Sequence, residues 1–172
     1  MFYRNRHFNQ SLNDWDVAKG VNFSYMFEAA DSFNQPLDNW DVSNGTNFSW
    51  MFKNTILFDQ DISGWNVSGS RSFRGMFSGA VSFNQDISSW NVSKVQDFST
   101  MFNWAPSFNQ DLGHWNIQSG MTFQRMFQNA NSFDQNLSDW RFGDSLIYWN
   151  PLDLFVYDSG LSTAHYDSLL IS

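Results

Sequence analysis

The sequence repeats itself every 25 residues, and this period limits the possible folds more than any other feature of the chain. Six units follow one another without an insertion. A unit of this size is too small to bury its apolar side chains alone, so the units are expected to stack on one another as in solenoid proteins. The repeated Met-Phe pair begins at Met1, Met26, Met51, Met76, Met101 and Met126, and the repeated tryptophans are Trp15, Trp40, Trp65, Trp90, Trp115 and Trp140.

Phenylalanine supplies most of the predicted core. The chain contains 19 Phe, and 17 of them fall at three positions of the repeat. In the second unit these positions are Phe23, Phe27 and Phe33. Aromatic residues make up 19% of the chain and charged residues only 15%, which is the reverse of the balance found in disordered proteins. The repeat therefore predicts a folded stack with an aromatic core.

The unit from 86 to 110 illustrates the predicted local structure. Its first half has an L-x-x-L-x-L spacing, which predicts a strand followed by a turn, and its second half has apolar residues at i, i+3, i+4 and i+7, which predicts a short helix. The sequence thus predicts an α/β solenoid, a right-handed stack of six 25-residue coils that each contain a strand and a short helix. The apolar positions are Ile87, Trp90 and Val92 in the first half and Phe98, Met101, Phe102 and Ala105 in the second.

Two polar columns run through all six units, an Asn/Asp column followed directly by an unbroken Gln column. Stacked amides can hydrogen-bond along the stack and to the backbone of the turns. We therefore predict a structural role for both columns. Their members are Asn9, Asn34, Asp59, Asn84, Asn109 and Asp134, and Gln10, Gln35, Gln60, Gln85, Gln110 and Gln135.

The regular units end near residue 142, which divides the chain into a solenoid, 1–142, and a terminal region, 143–172. Tyr148 and Leu152 stand where the Phe98 and Phe102 columns would continue, but Pro151 replaces the methionine. The terminal region is predicted to be a degenerate coil and a capping helix. That helix begins after Ser162 as its N-cap and carries Tyr166, Leu169 and Leu170 at helical spacing.

Charge and composition exclude several classes of function. Seventeen acidic and nine basic residues give a net charge of −8, which disfavours nucleic acid and anionic lipid as partners. The chain has no cysteine, and no apolar run approaches the ~20 residues of a membrane-spanning helix. We therefore expect no nucleic-acid partner and no insertion into a membrane.

The sequence also argues against an enzyme. It contains no hydrolase, metalloprotease, phosphate-binding or dinucleotide-binding motif, and His7, His114 and His165 occupy unrelated positions of the repeat. No cofactor is expected. Four acidic residues of adjacent coils can be considered as Ca²⁺ ligands, but no calcium-loop motif accompanies them, so solvated turn carboxylates are the preferred interpretation. These four are Asp14, Asp16, Asp38 and Asp41.

The positions that flank the predicted strand form a candidate binding face. Their side chains point away from the core if the strand prediction holds, and such faces often bind partners in repeat proteins. The alternative is that small polar residues here only keep the surface soluble. The candidate residues are Asp14, Asp16, Asn39, Asp41, Asn66, Ser89, Asn91, His114, Asn116, Asp139 and Arg141, with Gly64 in the same column.

The segment Trp90–Gln110 carries a W-N-V-S…F-x-x-MF…FNQ pattern that resembles the surface-protein repeat of BspA-like proteins and mycoplasma lipoproteins. The segment LSTAHYDSLL, from 161 to 170, resembles the ending that follows such arrays. The resemblance implies a leucine-rich-repeat-like solenoid in a secreted or cell-surface protein that acts in adhesion and protein interaction.

These inferences predict a non-enzymatic cell-surface or secreted module that binds a protein or another surface ligand. The alternative is a structural subunit that assembles head to tail with copies of itself. The first coil begins at the Met-Phe pair, so we expect the outer faces of Phe2, Phe8, Leu12 and Trp15 to be exposed as a self-association end.

Overall fold

Residues 25 positions apart lie side by side in the computed structural model, which describes residues 1–144, 146 and 152–171. The amide of Phe27 donates to the carbonyl of Met51 at 2.9 Å, and the same bond joins Phe52 to Met76 at 2.9 Å. Backbone hydrogen bonds of this kind recur at several positions of each unit. Successive units are therefore stacked coils, joined mainly by hydrogen bonds between neighbours.

The strand predicted in each coil is not found in the described repeats. The Trp90 amide donates to the Ile87 carbonyl at 3.1 Å, which closes a turn inside the predicted strand. Parallel pairing occurs instead at a single position of each coil, several residues later. These isolated bridges join Asn22, Asn47, Ser72, Asp97 and Thr122 in succession.

The predicted short helix is also wrong, because the backbone over 98–105 forms consecutive turns. Thr100 and Trp104 have φ angles of 55° and 56°, in the left-handed region that a right-handed helix excludes. Their amides donate to Gln124 and Gln128 of the next coil, at 2.8 and 2.9 Å. The i, i+3, i+4 spacing therefore reflects two tight turns that bury alternate side chains, with hydrogen bonds directed along the stack.

The aromatic core predicted from the repeat is confirmed. Phe52 is fully buried, and its ring stacks on Phe27 and Phe77 with centroid distances of 5.5 and 5.7 Å. Trp65 and Trp90 lie 6.5 Å apart with nearly parallel planes, and each indole N–H donates to a backbone carbonyl of the preceding coil. These separations are typical of favourable aromatic pairs.

The structural role predicted for the Asn/Asp and Gln columns is confirmed as well. The Asn84 side-chain oxygen accepts the backbone N–H of Asn109 and the side-chain amide of Gln110, both at 2.9 Å. The same pair of bonds recurs between the other coils of the stack. Each coil thus fixes the turn of the next one.

The last coil contains four more residues than the others. Thr100 donates to Gln124, 24 residues later, whereas Arg125 donates to Asp153, 28 residues later. Leu152 therefore does not continue the Phe102 column, as predicted. That position is taken by Val156, and Leu152 is 37% exposed. Tyr148 and Pro151 lie outside the described residues.

The chain ends in a helix, α1, Thr163–Ile171. It begins directly after Ser162, as predicted, and the Ser162 backbone N–H donates to Asp134 of the last regular coil at 2.8 Å. Nowhere in the described part of the chain is there a helix long and apolar enough to cross a membrane.

Candidate binding surface

All residues of the candidate face are solvent-exposed in the structure. They form two columns that run along the stack, although the backbone beneath them is a series of turns and not the predicted strand. We call the column that begins at Asp14 the variable column and the column that begins at Asp16 the turn column. The variable column is Asp14, Asn39, Gly64, Ser89, His114 and Asp139, and the turn column is Asp16, Asp41, Asn66, Asn91, Asn116 and Arg141.

The turn column stabilises the fold. In five successive coils, its side-chain oxygen accepts the backbone N–H two residues later, as in an Asx-turn. The Ser43 hydroxyl and then the Ser43 backbone N–H lower the pKa of Asp41, because both donate to its carboxylate. A local structural requirement therefore explains why five of the six residues are Asp or Asn.

The variable column shows no such regularity. Its six members include acidic, amide, hydroxyl and imidazole side chains and one glycine. At its C-terminal end, His114 and Asp139 line a shallow groove of about 280 Å³ with Asn116 and Arg141. The Arg141 guanidinium donates to the carbonyls of Ser138 and Trp140, at 2.8 and 3.0 Å, and is thereby held at the groove.

The predicted self-association end is only partly exposed. Trp15 is 43% exposed, whereas Phe2 and Phe8 are half-buried and stack on each other at 3.9 Å. Leu12 corrects the prediction, because it is only 4% exposed. Its side chain joins the hydrophobic core cluster, so it offers no surface to a partner.

The four acidic residues considered as calcium ligands have other partners. The carboxylates of Asp16 and Asp41 accept backbone N–H groups, and Asp38 accepts the Asn13 side-chain amide at 2.8 Å. Among the described residues, no group of three or more His, Asp or Glu side chains is placed to hold a metal ion. Asp14 belongs to the variable column and is exposed.

The histidines lie apart from one another along the stack. His7 and His114 are exposed, in the first and fifth coils, and His165 in α1 contacts Asp134 through its Nδ1 at 2.8 Å.

Comparison with known proteins places the repeats in a family. A model described as "Mycoplasma protein of unknown function, DUF285" matches residues 1–80 and 70–147. The chain belongs to this family. The two overlapping matches in this DUF285 protein agree with its tandem repeats. No curated protein and no solved structure matches the chain significantly.

A second surface of the DUF285 protein was not predicted from the sequence. Two adjoining depressions, of about 470 and 320 Å³, share Asp97, Thr122 and Gln124 as lining residues. Arg71, Arg74 and Arg125 also line this groove, which we call the arginine groove. The available signal is that three of the six arginines of the chain fall at neighbouring positions of the repeat, at its end.

Proposed function

We propose that this chain is a non-enzymatic interaction module of a secreted or cell-surface protein, built as a right-handed, leucine-rich-repeat-like solenoid of the BspA-like type. The contrast between the two columns of the candidate face supports binding. Folding restricts the turn column to Asp and Asn in five coils, whereas the variable column differs from coil to coil although the core beneath it repeats. A position that varies within an otherwise regular array is free to carry specificity for a partner.

The groove at His114, Asp139 and Arg141 is the part of this face that we assign to contact with a protein partner or another surface ligand. It combines an imidazole, a carboxylate and a guanidinium on a backbone held by turns and by the buried tryptophans Trp115 and Trp140. Pre-organised polar groups lose little conformational entropy on binding, which favours affinity.

The test is binding of the purified chain to an array of immobilised extracellular-matrix proteins and cell-surface glycans. We expect a specific signal that the double variant His114→Ala, Asp139→Ala loses. The control variant is Asp111→Asn, which keeps an Asx-turn acceptor outside the candidate face. A signal that survives the double variant would refute the assignment of the face. Proteolysis of intact cells tests the proposed location, because a surface protein is cleaved without lysis.

Self-assembly is the second candidate function, and the exposure of Trp15 favours it. A head-to-tail contact between first and last coils would bury this indole and produce oligomers. Sedimentation of the chain across a range of concentrations tests the idea. Oligomers that disappear in Trp15→Asp but persist in the control Tyr166→Asp would support it, and a monomer at all concentrations would exclude it.

A further inference from the structure

The arginine groove concentrates positive charge in a chain of net charge −8. Arg71, Arg74 and Arg125 are all solvent-exposed, and the groove holds two carboxylates, those of Asp97 and Asp153. Asp97 accepts the Ser99 backbone N–H at 2.9 Å, and Asp153 lies 3.9 Å from the Arg125 guanidinium. Three guanidinium groups therefore face two carboxylates, so the groove has a local excess of positive charge.

The register of the coils places two of these arginines on either side of Thr100. Gly75, Thr100 and Arg125 occupy the same position in three successive coils, and Arg74 precedes Gly75. Neighbouring coils joined by such bridges lie about 5 Å apart. Arg74 and Arg125 thus flank Thr100 from opposite directions, each one coil away.

Thr100 has an unmet hydrogen-bonding group at this point. Its hydroxyl oxygen is buried and has no hydrogen-bond partner among the described residues. A buried polar group without a partner is energetically costly. The residue itself is partly exposed, so rotation about its Cα–Cβ bond exchanges hydroxyl and methyl and turns the hydroxyl toward the groove.

Trp50 holds one wall of the groove in place. Its ring lies over Gly75, and the guanidinium of Arg74 lies 5.6 Å from the ring centroid, within the range of a cation–π contact. This contact limits the conformations of Arg74, so less entropy is lost when it meets an anion.

The hydrogen-bonding groups of the groove favour a saccharide over an extended peptide. The carbonyls of the bridge residues Ser72, Asp97 and Thr122 already accept amides of the preceding coils, at 2.9–3.0 Å. A peptide that adds as a strand needs such backbone groups. What remains is a lining of guanidinium, amide and hydroxyl side chains, which suits a ligand that carries many hydroxyl groups.

We propose that the arginine groove binds an acidic saccharide, a uronic-acid unit of an anionic polysaccharide. Its carboxylate lies between Arg74 and Arg125 and accepts the Thr100 hydroxyl, while its ring hydroxyls contact the side-chain amides of Gln96 and Gln124. Guanidinium groups form charge-assisted hydrogen bonds with carboxylates, which are stronger than neutral ones. This inference does not rest on the function proposed above, because the candidate face lies at other positions of the repeat.

Titration calorimetry of the full chain with a hexamer of galacturonic acid tests the proposal. We expect binding that weakens with added salt and about tenfold or more in each of Arg74→Gln and Arg125→Gln, on the scale of one lost charge-assisted bond. Thr100→Val should weaken binding with no loss of thermal stability. Arg4→Gln, outside the groove and equal in charge change, is the control, and circular dichroism verifies the fold of each variant.

The other probes decide between chemistries. The methyl-esterified hexamer should bind much more weakly, since it lacks the carboxylates, and hexaglutamate should not compete. Equal binding of the ester, equal binding of hexaglutamate, no binding of the acidic hexamer at millimolar concentration, or an unchanged affinity in Arg74→Gln, Arg125→Gln would each overturn the proposal. His114→Ala should leave hexamer binding unchanged, which separates this site from the candidate face.

Discussion

His165 in α1 takes the place of a glutamine of the repeat in its contact with Asp134. In the regular coils, the Asn/Asp side chain accepts the backbone N–H of the next member of its column and the side-chain amide of the following Gln. Asp134 instead accepts the Ser162 backbone N–H and His165 Nδ1, both at 2.8 Å. The C-terminal segment therefore closes the stack with the same hydrogen-bond pattern that joins its coils.

This contact predicts a response of the C-terminal cap to acid. The Ser162 backbone N–H, followed by the His165 side chain and the Ser162 hydroxyl, lowers the pKa of Asp134 from 3.8 to about 2. A lowered pKa in the folded state stabilises the cap above pH 3.8, and this contribution is lost as the pH falls through about 2. Hydrogen exchange of residues 152–167 should accelerate over that interval.

The variant Asp134→Asn provides the matched comparison, because Asn occupies the same column in four other coils. Its amide oxygen still accepts the Ser162 N–H but carries no charge. We expect the cap of this variant to exchange at a rate nearly independent of pH, after correction for intrinsic exchange, between pH 4 and pH 2, the range set by the pKa of the wild-type carboxyl. Asp59→Asn should leave the wild-type response of the cap in place. An identical acid response in Asp134→Asn would contradict the prediction.

Replacing Trp90 with Ala should strongly destabilise the stack. Its indole is 4% exposed, packs 6.5 Å from Trp65 and 5.6 Å from Phe73, and donates to the Ile62 carbonyl. We expect a loss of about 3–5 kcal/mol in the free energy of unfolding, measured in denaturant. Trp90→Phe keeps an aromatic ring but leaves that carbonyl without the indole donor, so its loss should be smaller. A Trp90→Ala midpoint equal to that of the wild type would refute the stacked-column description.

The sequence predicted the stacking, the aromatic core and the polar columns because each depends only on which residues recur at 25 positions. Six identical Gln positions and nearly identical Phe positions are hard to satisfy except by contact between equivalent residues. The Asn84 and Phe52 contacts follow directly from that reasoning.

The local backbone and the end of the array escaped prediction for physical reasons. The spacing of Phe98, Met101 and Phe102 suits a helix and a pair of tight turns equally well, and the left-handed φ of Thr100 decides between them. Non-glycine residues seldom adopt that conformation, so no residue type marked it. The four extra residues before Asp153 were missed because Leu152 happens to fit the unshifted period.

Removal of divalent metal should leave stability unchanged. The carboxylates of Asp16, Asp38 and Asp41 accept hydrogen bonds from neighbouring N–H groups, which satisfies part of their bonding capacity without an ion. We expect the melting temperature to be the same with and without a chelator. A fall of several degrees that Ca²⁺ reverses would show instead that an ion bound to the folded state stabilises it.

The Asn/Asp column should tolerate Asp but not Ala. The Asn109 side-chain oxygen accepts the Asp134 backbone N–H at 2.9 Å and the Gln135 amide at 2.7 Å. Asn109→Ala removes the acceptor for both donors and should cost about 1–2 kcal/mol in the free energy of unfolding. Asn109→Asp retains the acceptor and should be close to neutral. Equal losses in the two variants would mean that the hydrogen bonds contribute little.

Gly75 and Trp50 form a complementary pair, which predicts a test by double substitution. Gly75 has φ +57°, and a Cβ there would lie 2.0 Å from carbon atoms of the Trp50 ring. Gly75→Ala should therefore incur both the left-handed backbone penalty of about 1–2 kcal/mol and the displacement of the indole. Trp50→Ala, Gly75→Ala should relieve the clash, so the double variant should be more stable than the sum of the two single losses predicts.

Gly79 supplies the matched control for this prediction. It also has a left-handed φ, of +69°, but the group that a Cβ would meet is the side-chain oxygen of Asn54 at 2.2 Å. That amide sits at the end of a side chain that can rotate away, whereas the Trp50 ring is held between Gly75 and the cations of Lys53 and Arg74. Gly79→Ala should therefore cost only the backbone penalty of about 1–2 kcal/mol. If Gly75→Ala and Gly79→Ala lower the unfolding free energy equally, the indole yields as easily as the amide, and the backbone conformation alone explains both glycines.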